Sequence, residues 1–251
     1  MMLIISGSLP KSGSAWLFYL TNDLMAVAGY SDTLWIKKKF DLEFIKYDSC
    51  NIQEPTEEKL TILTSPPVSN YSFAVKTHYP HNPHVLKLLA EGKIKMTYIY
   101  RDPRDLAVSG LEAGRKLRQK GIFNRFGEIY TMKDALFWTH GILRDNWQNW
   151  SNIEGVLYFK YENLLENTTA ELLRLCNYLE ISVKEEIIKR IIDKHSAERL
   201  KKTAENMNSH KYHFNKAKSG RFREVMTGEQ IQLCQQIFGD YLEKMGYSEG
   251  F

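Results

Sequence analysis

Leu9-Pro10-Lys11-Ser12-Gly13-Ser14-Ala15-Trp16 stands between the apolar run Met2–Ser6 and an amphipathic stretch ending near Ala28. That order predicts a strand, a tight turn and a helix opening at Ser14. Such a turn aims several backbone N–H groups and the positive end of a helix dipole at one spot, which suits a phosphate or sulfate. Lys11 adds a full charge, and Trp16 adds an aromatic face on which a nucleobase can stack. The turn is not of the GxxxxGK(S/T) type, because Lys11 precedes Gly13 instead of following the last glycine.

Working outward, strand-like and helix-like segments alternate, the mark of a parallel sheet with crossover helices. Ser72–Lys76, Lys95–Tyr100 and Gly155–Lys160 read as further strands. Helical spacing covers Pro103 to about Arg118, then Lys133–Trp150, Asn163–Leu179 and Gly228–Met245, with a helical pattern also from Lys184 onward. Pro103 sits at a favoured first-turn position. Asn206–Phe222 is polar and without strong periodicity, and residues 30–70 are expected to be a solvated surface segment with a loop at Ser65-Pro66-Pro67. No internal repeat or clean linker is visible, so a single α/β domain over residues 1–251, a central parallel sheet flanked by helices, is expected.

The 251 residues suffice for a sizeable core. A net charge of +4 is compatible with an anionic ligand but does not argue for nucleic acid. The three cysteines, Cys50, Cys176 and Cys234, are widely spaced with no CxxC, which suggests neither a disulfide framework nor a zinc site. No signal-peptide core and no apolar run near membrane-spanning length is present. These features lead us to expect a cytoplasmic protein without membrane or nucleic-acid partners, of undetermined oligomeric state.

Three more clusters sit at the C-terminal ends of predicted strands, where open α/β sheets bind ligands. In Val75-Lys76-Thr77-His78 a lysine and a histidine leave a strand for a loop holding Pro80 and Pro83; such a histidine can act as a general base. Alternatively it is an ordinary hydrogen-bonded loop histidine. His81 and His84 do not share a helical face with His78, so no metal site is expected. In the stretch from Tyr98 to Ser109, Arg101 ends a strand and Ser109 lies two turns into the next helix, a pair able to hold a phosphate monoester. The alternative is that Arg104 and Asp105 solvate a helix start while Arg101 pairs with a carboxylate. In Phe159–Leu164, Tyr161 can lie along a purine, or the segment is simply core aromatics capped by Asn163.

Together these segments resemble the sulfotransferases that use 3′-phosphoadenosine 5′-phosphosulfate (PAPS), the cytosolic type and its bacterial relatives. The family's Tyr-Pro-Lys-Ser-Gly-Thr-Thr-Trp is matched by Leu9–Trp16 and its Lys-Thr-His-x-Pro by Lys76–Pro80. Its Arg-Asp/Asn-Pro-Arg/Lys-Asp-x-Ala-Val-Ser is matched by Arg101–Ser109, and its Tyr-Glu-Asp-Leu by Tyr161–Leu164. The resemblance implies a P-loop-like phosphosulfate-binding loop after the first strand and transfer of a sulfuryl group from PAPS to a hydroxyl or amine of a small-molecule acceptor. It places Lys11, Ser12, Gly13, Ser14 and Ala15 at the phosphosulfate, and Trp16 and Tyr161 at the adenine. Arg101 and Ser109 fall to the 3′-phosphate, with Lys216, Lys218 and Gly220 in the C-terminal cofactor loop. Lys76 falls beside the transferred group, His78 is the base, and Lys11 steadies the leaving oxygen, with no metal required. That C-terminal loop departs from the family pattern, with Asn215 and Ala217 in place of arginine and glycine, and Lys218 or Arg221 could compensate. The family's dimer signature is degraded around Arg223, Thr227, Gly228 and Gln232. A P-loop-type nucleotide kinase and a non-catalytic binder of sulfated or phosphorylated polymers, using Lys37–Lys39 and the Lys/Arg residues between 115 and 125, are the rival readings.

Overall fold

The computed structural model describes residues 2–122, 124–196, 198–199 and 217–247. Within it the chain forms two compact units. The first comprises Met1–Ser8, Gly13–Tyr100 and Trp150–Ala217; the second comprises Leu9–Ser12, Arg101–Asn149 and Lys218–Phe251.

The first unit is built on a sheet of four parallel strands in the order β2-β1-β3-β4: β1 (Leu3–Ser8), β2 (Phe73–Thr77), β3 (Ile94–Tyr100) and β4 (Val156–Lys160). β1 and β2 are buried along their whole length, as strands covered on both faces must be, which is why they read as near-continuous apolar runs. The sequence places each strand within two residues of its observed bounds. β1 runs on through Gly7 and Ser8, where a Cβ on Gly7 would approach the Tyr98 ring to 3.1 Å. Because the strands are parallel, Ser8, Thr77, Tyr100 and Lys160 end at one edge, from which the chain runs on into His78 and Tyr161.

Around this sheet lie α1 (Ser14–Val27), α2 (Thr33–Lys39), α3 (Glu57–Thr64), α4 (Pro83–Ala90), then, after the residues of the second unit, α7 (Tyr161–Glu166), α8 (Thr168–Leu179) and α9 (Glu185–Lys194). The expectation that residues 30–70 are a solvated surface segment is wrong. They hold two helices capped by Asp32 and Thr56, and they bury Ile36, Leu42, Ile45, Ile52, Leu60 and Leu63. Asn51 forms a parallel bridge to Lys76, with Ile52 N–H to Lys76 C=O and Lys76 N–H to Cys50 C=O, both 2.9 Å. These apolar residues come from two short helices and the irregular chain around them, so no period was visible. α4 was likewise missed: Asn82 caps it and Pro83 occupies its first turn. The single helix expected over Asn163–Leu179 is two, because the Asn167 side chain caps α8 by accepting from Ala170 N–H. Asn163 is not a cap.

The second unit centres on α5 (Pro103–Gln119), α6 (Met132–Ile142) with a π-helical continuation at Leu143–Trp147, α10 (Phe222–Val225) and α11 (Gly228–Lys244). The uniform helix expected over Lys133–Trp150 is therefore interrupted. α5 and α6 pack closely. A Cβ on Gly110 would meet Trp138 at 2.9 Å, and one on Gly114 would meet the Phe126 carbonyl oxygen at 2.2 Å. Among the described residues no helix is long and apolar enough to cross a membrane.

Candidate active site

In the first unit the ends of β1 and β2 bring Ser8, Lys76 and His78 together. Lys76 is buried, and its Nζ lies 3.3 Å from His78 Nε2. On the other side of the ring, His78 Nδ1 lies 2.9 Å from Ser8 Oγ and 3.3 Å from the Ser8 carbonyl oxygen. One assignment satisfies all of these contacts. An ammonium has only donors, so it donates to Nε2; Nδ1–H then donates to Ser8, and the Ser8 hydroxyl donates to the Thr77 carbonyl at 3.3 Å. The histidine is thereby held as the tautomer with its lone pair on Nε2. Burial pushes the Lys76 ammonium down to about 8.

Gly13 precedes α1 with φ +86°, a left-handed conformation natural to glycine. A Cβ there would come within 2.7 Å of the Tyr161 ring, so the loop lies flush on that aromatic. The ring is buried and meets Trp16 edge-on, centroids 6.4 Å apart. The first bond of the helix ladder runs from Leu17 N–H to Gly13 C=O, so the amides of Ser14, Ala15 and Trp16 precede it. Ser14 is buried at this helix start.

In the second unit Lys11, also with positive φ (68°), lies 5.7 Å from the centroid of Phe126. Its amine has no hydrogen-bond or ion-pair partner among the described residues. Burial foremost, then the Lys116 and Arg101 charges, lowers it to about 8, with Glu112 acting in the opposite sense. The Ser12 hydroxyl is turned back onto the Leu9 carbonyl at 2.5 Å. Arg101 is buried; its Nη2 donates to Asp105 Oδ2 at 3.1 Å and to the Lys218 carbonyl at 2.8 Å. Ser109 is buried two turns further along α5.

Arg104 and Asp105 do not solvate the helix start as the alternative reading had it. Both are buried: Arg104 forks onto Asp102 and lies 4.1 Å from the Phe222 ring centroid, and Asp105 accepts from Gly220 and Phe222 N–H at 2.8 and 2.9 Å. That alternative was right that Arg101 pairs with a carboxylate, which is Asp105. Lys218 ion-pairs with Glu224, and Arg221 makes a two-point pair with Glu112. Lys216 lies outside the described residues. His84 pairs with Glu57 at 3.6 Å, and His81 sits against Trp150. Sequence reasoning missed Ser8, Glu112 and Phe126, misjudged Asp105, and gave Lys116 only to a polymer-binding stretch. A carboxylate one turn after Arg101 was the only visible signal among them.

A parallel sheet whose first strand ends in an amide-rich, lysine-bearing turn defines an α/β protein built to hold a phosphorylated or sulfated nucleotide. Residues 2–248 match the family model for the sulfotransferase domain, and the chain belongs to that family. It is similar to flavonol 4′-sulfotransferase of Flaveria chlorifolia, 27% identical, covering 95% of this chain and 78% of that protein. It is also similar to bovine (Bos taurus) sulfotransferase 1A1, 26% identical over 80% of this chain and 66% of that protein. Among solved structures, mouse sulfotransferase SULT7A1 complexed with PAP shares the fold with a TM-score of 0.63 at 18% identity, covering 99% of this chain and 89% of that one. The protein is thus an enzyme that uses PAPS to sulfate a small-molecule acceptor, and the kinase and polymer-binder readings fall away.

Proposed function

We propose that this enzyme transfers the sulfuryl group in line to a hydroxyl or amine of the acceptor, with His78 as general base and Lys11 stabilising the leaving oxygen. The observation that carries the reading is a pair of lysines, Lys11 and Lys76, both lowered to about 8 by burial and neither ion-paired to a carboxylate among the described residues. Burying an uncompensated ammonium is costly, and an anionic ligand relieves that cost.

The residues fit PAPS. Lys11 and the loop at Ser12, Gly13, Ser14 and Ala15 supply a charge and amides for the phosphosulfate, on a turn whose glycine leaves room for no side chain. Arg101 and Ser109, with the loop of Lys216, Lys218 and Gly220, serve the 3′-phosphate; Arg101 brings a planar donor fork suited to it. Tyr161 and Trp16 serve the adenine, with the Tyr161 ring braced by Gly13 and Trp16. When bound, PAPS supplies a sulfuryl group whose bond to the phosphate oxygen breaks as the acceptor attacks, leaving adenosine 3′,5′-bisphosphate.

The protein's own part is positioning and charge. Lys76 meets the oxygens of the transferred group, and in turning to them it uncovers the lone pair on His78 Nε2. That nitrogen takes the acceptor's proton, while Ser8 keeps Nδ1–H in place and so fixes the ring. We assign residues 1–251 to one sulfotransferase domain working in the cytoplasm, in keeping with three buried free thiols.

The test is a screen of phenols, alcohols and amines with labelled PAPS, repeated with His78→Ala on the best acceptor. Loss of a general base is expected to lower kcat about 10²–10⁴-fold while affinity for adenosine 3′,5′-bisphosphate is kept. Unchanged turnover would remove His78 from the reaction.

A further inference from the structure

Asp105 joins Arg101 to a distant turn of the second unit. Its carboxylate is wholly buried, with none of the side chain exposed. Oδ2 accepts from Arg101 Nη2 at 3.1 Å and from Gly220 N–H at 2.8 Å, and Oδ1 accepts from Phe222 N–H at 2.9 Å. The same Arg101 nitrogen also donates to the Lys218 carbonyl at 2.8 Å. One anion therefore ties the Arg101 guanidinium to two residues of a turn, the nearer of them 115 positions after Asp105 in the chain. The turn reaches it through Gly220, whose φ of +70° sets that N–H on the carboxylate.

The turn's cationic side chains are committed elsewhere: Lys218 to Glu224, and Arg221 to Glu112. What the turn shares with Arg101 is thus a backbone connection, made through Asp105 and the Lys218 carbonyl. A buried carboxylate taking one guanidinium and two amides fixes the plane of the guanidinium as well as its place, because each bond is charge-assisted and directional.

We propose that Asp105 is a positioning residue which couples Arg101 to the 218–222 turn and so sets the enzyme's preference for a 3′-phosphorylated nucleotide. This rests on the reading of Arg101 as a 3′-phosphate ligand. Asp105 itself touches no substrate: it acts through the arginine and the turn. Glu112 holds Arg221 at the same turn.

The experiment compares affinities of the wild-type enzyme and Asp105→Asn for adenosine 3′,5′-bisphosphate and for adenosine 5′-phosphate, which lacks the 3′-group. Asparagine keeps the shape, but it loses the charge and turns an N–H₂ toward other donors. Hydrogen bonds to charged groups are worth enough that the bisphosphate should bind about 10–100-fold more weakly, with the monophosphate changed less than about twofold. Trypsin cleavage after Lys218 and Arg221 should quicken in the variant, and the bisphosphate should no longer protect those bonds. An unchanged preference, or equal weakening of both nucleotides, would overturn the coupling. If the wild type itself shows no preference for the 3′-phosphate, the reading of Arg101 fails first. Should D105N not fold, D105E, which keeps the charge and displaces it by one methylene, is measured instead; a retained preference there also overturns the proposal.

Discussion

Lys76 is buried and Lys11 half-buried, with the same consequence. Each ammonium is lowered to about 8, chiefly because the surroundings solvate it poorly. Lys11 is lowered further by the nearby charges of Lys116 and Arg101. An anion bound beside either lysine favours the protonated form, so its pKa rises in the complex. Linkage then fixes the sign: affinity for adenosine 3′,5′-bisphosphate, which meets Lys11 but lacks the group that Lys76 serves, is full below about pH 8 and falls as pH climbs past it. The fall is at most about tenfold per pH unit for each lysine that must take up a proton. Titrations between pH 7 and pH 9.5 at fixed ionic strength should show this limb, and it should be shallower in Lys11→Ala. A flat profile in the wild type would mean that Lys11 does not meet the nucleotide.

The element that decides the site is the turn from β1 into α1, and its weakest point sterically is Gly13. Two penalties meet in Gly13→Ala. A left-handed alanine costs about 1 kcal/mol, and its methyl must displace a Tyr161 ring held from behind by Trp16, at about 1–3 kcal/mol more. Gly92 offers the control, since it too has positive φ (+65°) but nothing within 4 Å of a Cβ. Urea unfolding should therefore show Gly13→Ala destabilised by about 2–4 kcal/mol and Gly92→Ala by only about 1. Equal effects would mean that the Tyr161 contact yields freely.

This turn was legible because its signals are local: a glycine, a lysine and the switch from strand to helix spacing fall within eight residues. The four strands were legible for the same reason, being short apolar runs with clear ends. What lies between β1 and β2 was not, because Leu42, Ile45 and Ile52 enter the core from irregular chain and Ile36 from a helix of only seven residues, too short to show a period. Asn167 broke a periodic pattern without a glycine or proline to announce it. Asp105 was seen but misjudged: its partners, Gly220 and Phe222, are more than a hundred residues away, and no local pattern records them.

Across the whole chain the net charge is only +4, and the family motifs carry Lys11, Lys76, Arg101 and Arg104. In the second unit Lys11 is close enough to Arg101 and Lys116 for their charges to lower it; in the first, Lys76 stands beside His78. Transfer of a sulfuryl group, like that of a phosphoryl group, asks mainly for alignment and for charge to be met where it develops. Here ammonium, guanidinium and helix-start amides are available for both tasks. The carboxylates nearest them are already spent: Asp102 on Arg104, Asp105 on Arg101 and two amides, Glu112 on Arg221. A divalent ion would need such oxygens as ligands. Calorimetry should accordingly give the same affinity for adenosine 3′,5′-bisphosphate in EDTA as in millimolar Mg²⁺, and turnover with PAPS should survive EDTA unchanged. ATP–Mg²⁺, which brings no 3′-phosphate, should bind far more weakly if Arg101 has the role proposed for it. If chelation abolished binding or turnover, the charge these side chains carry would be insufficient, and the donor site would have to be rebuilt around an ion.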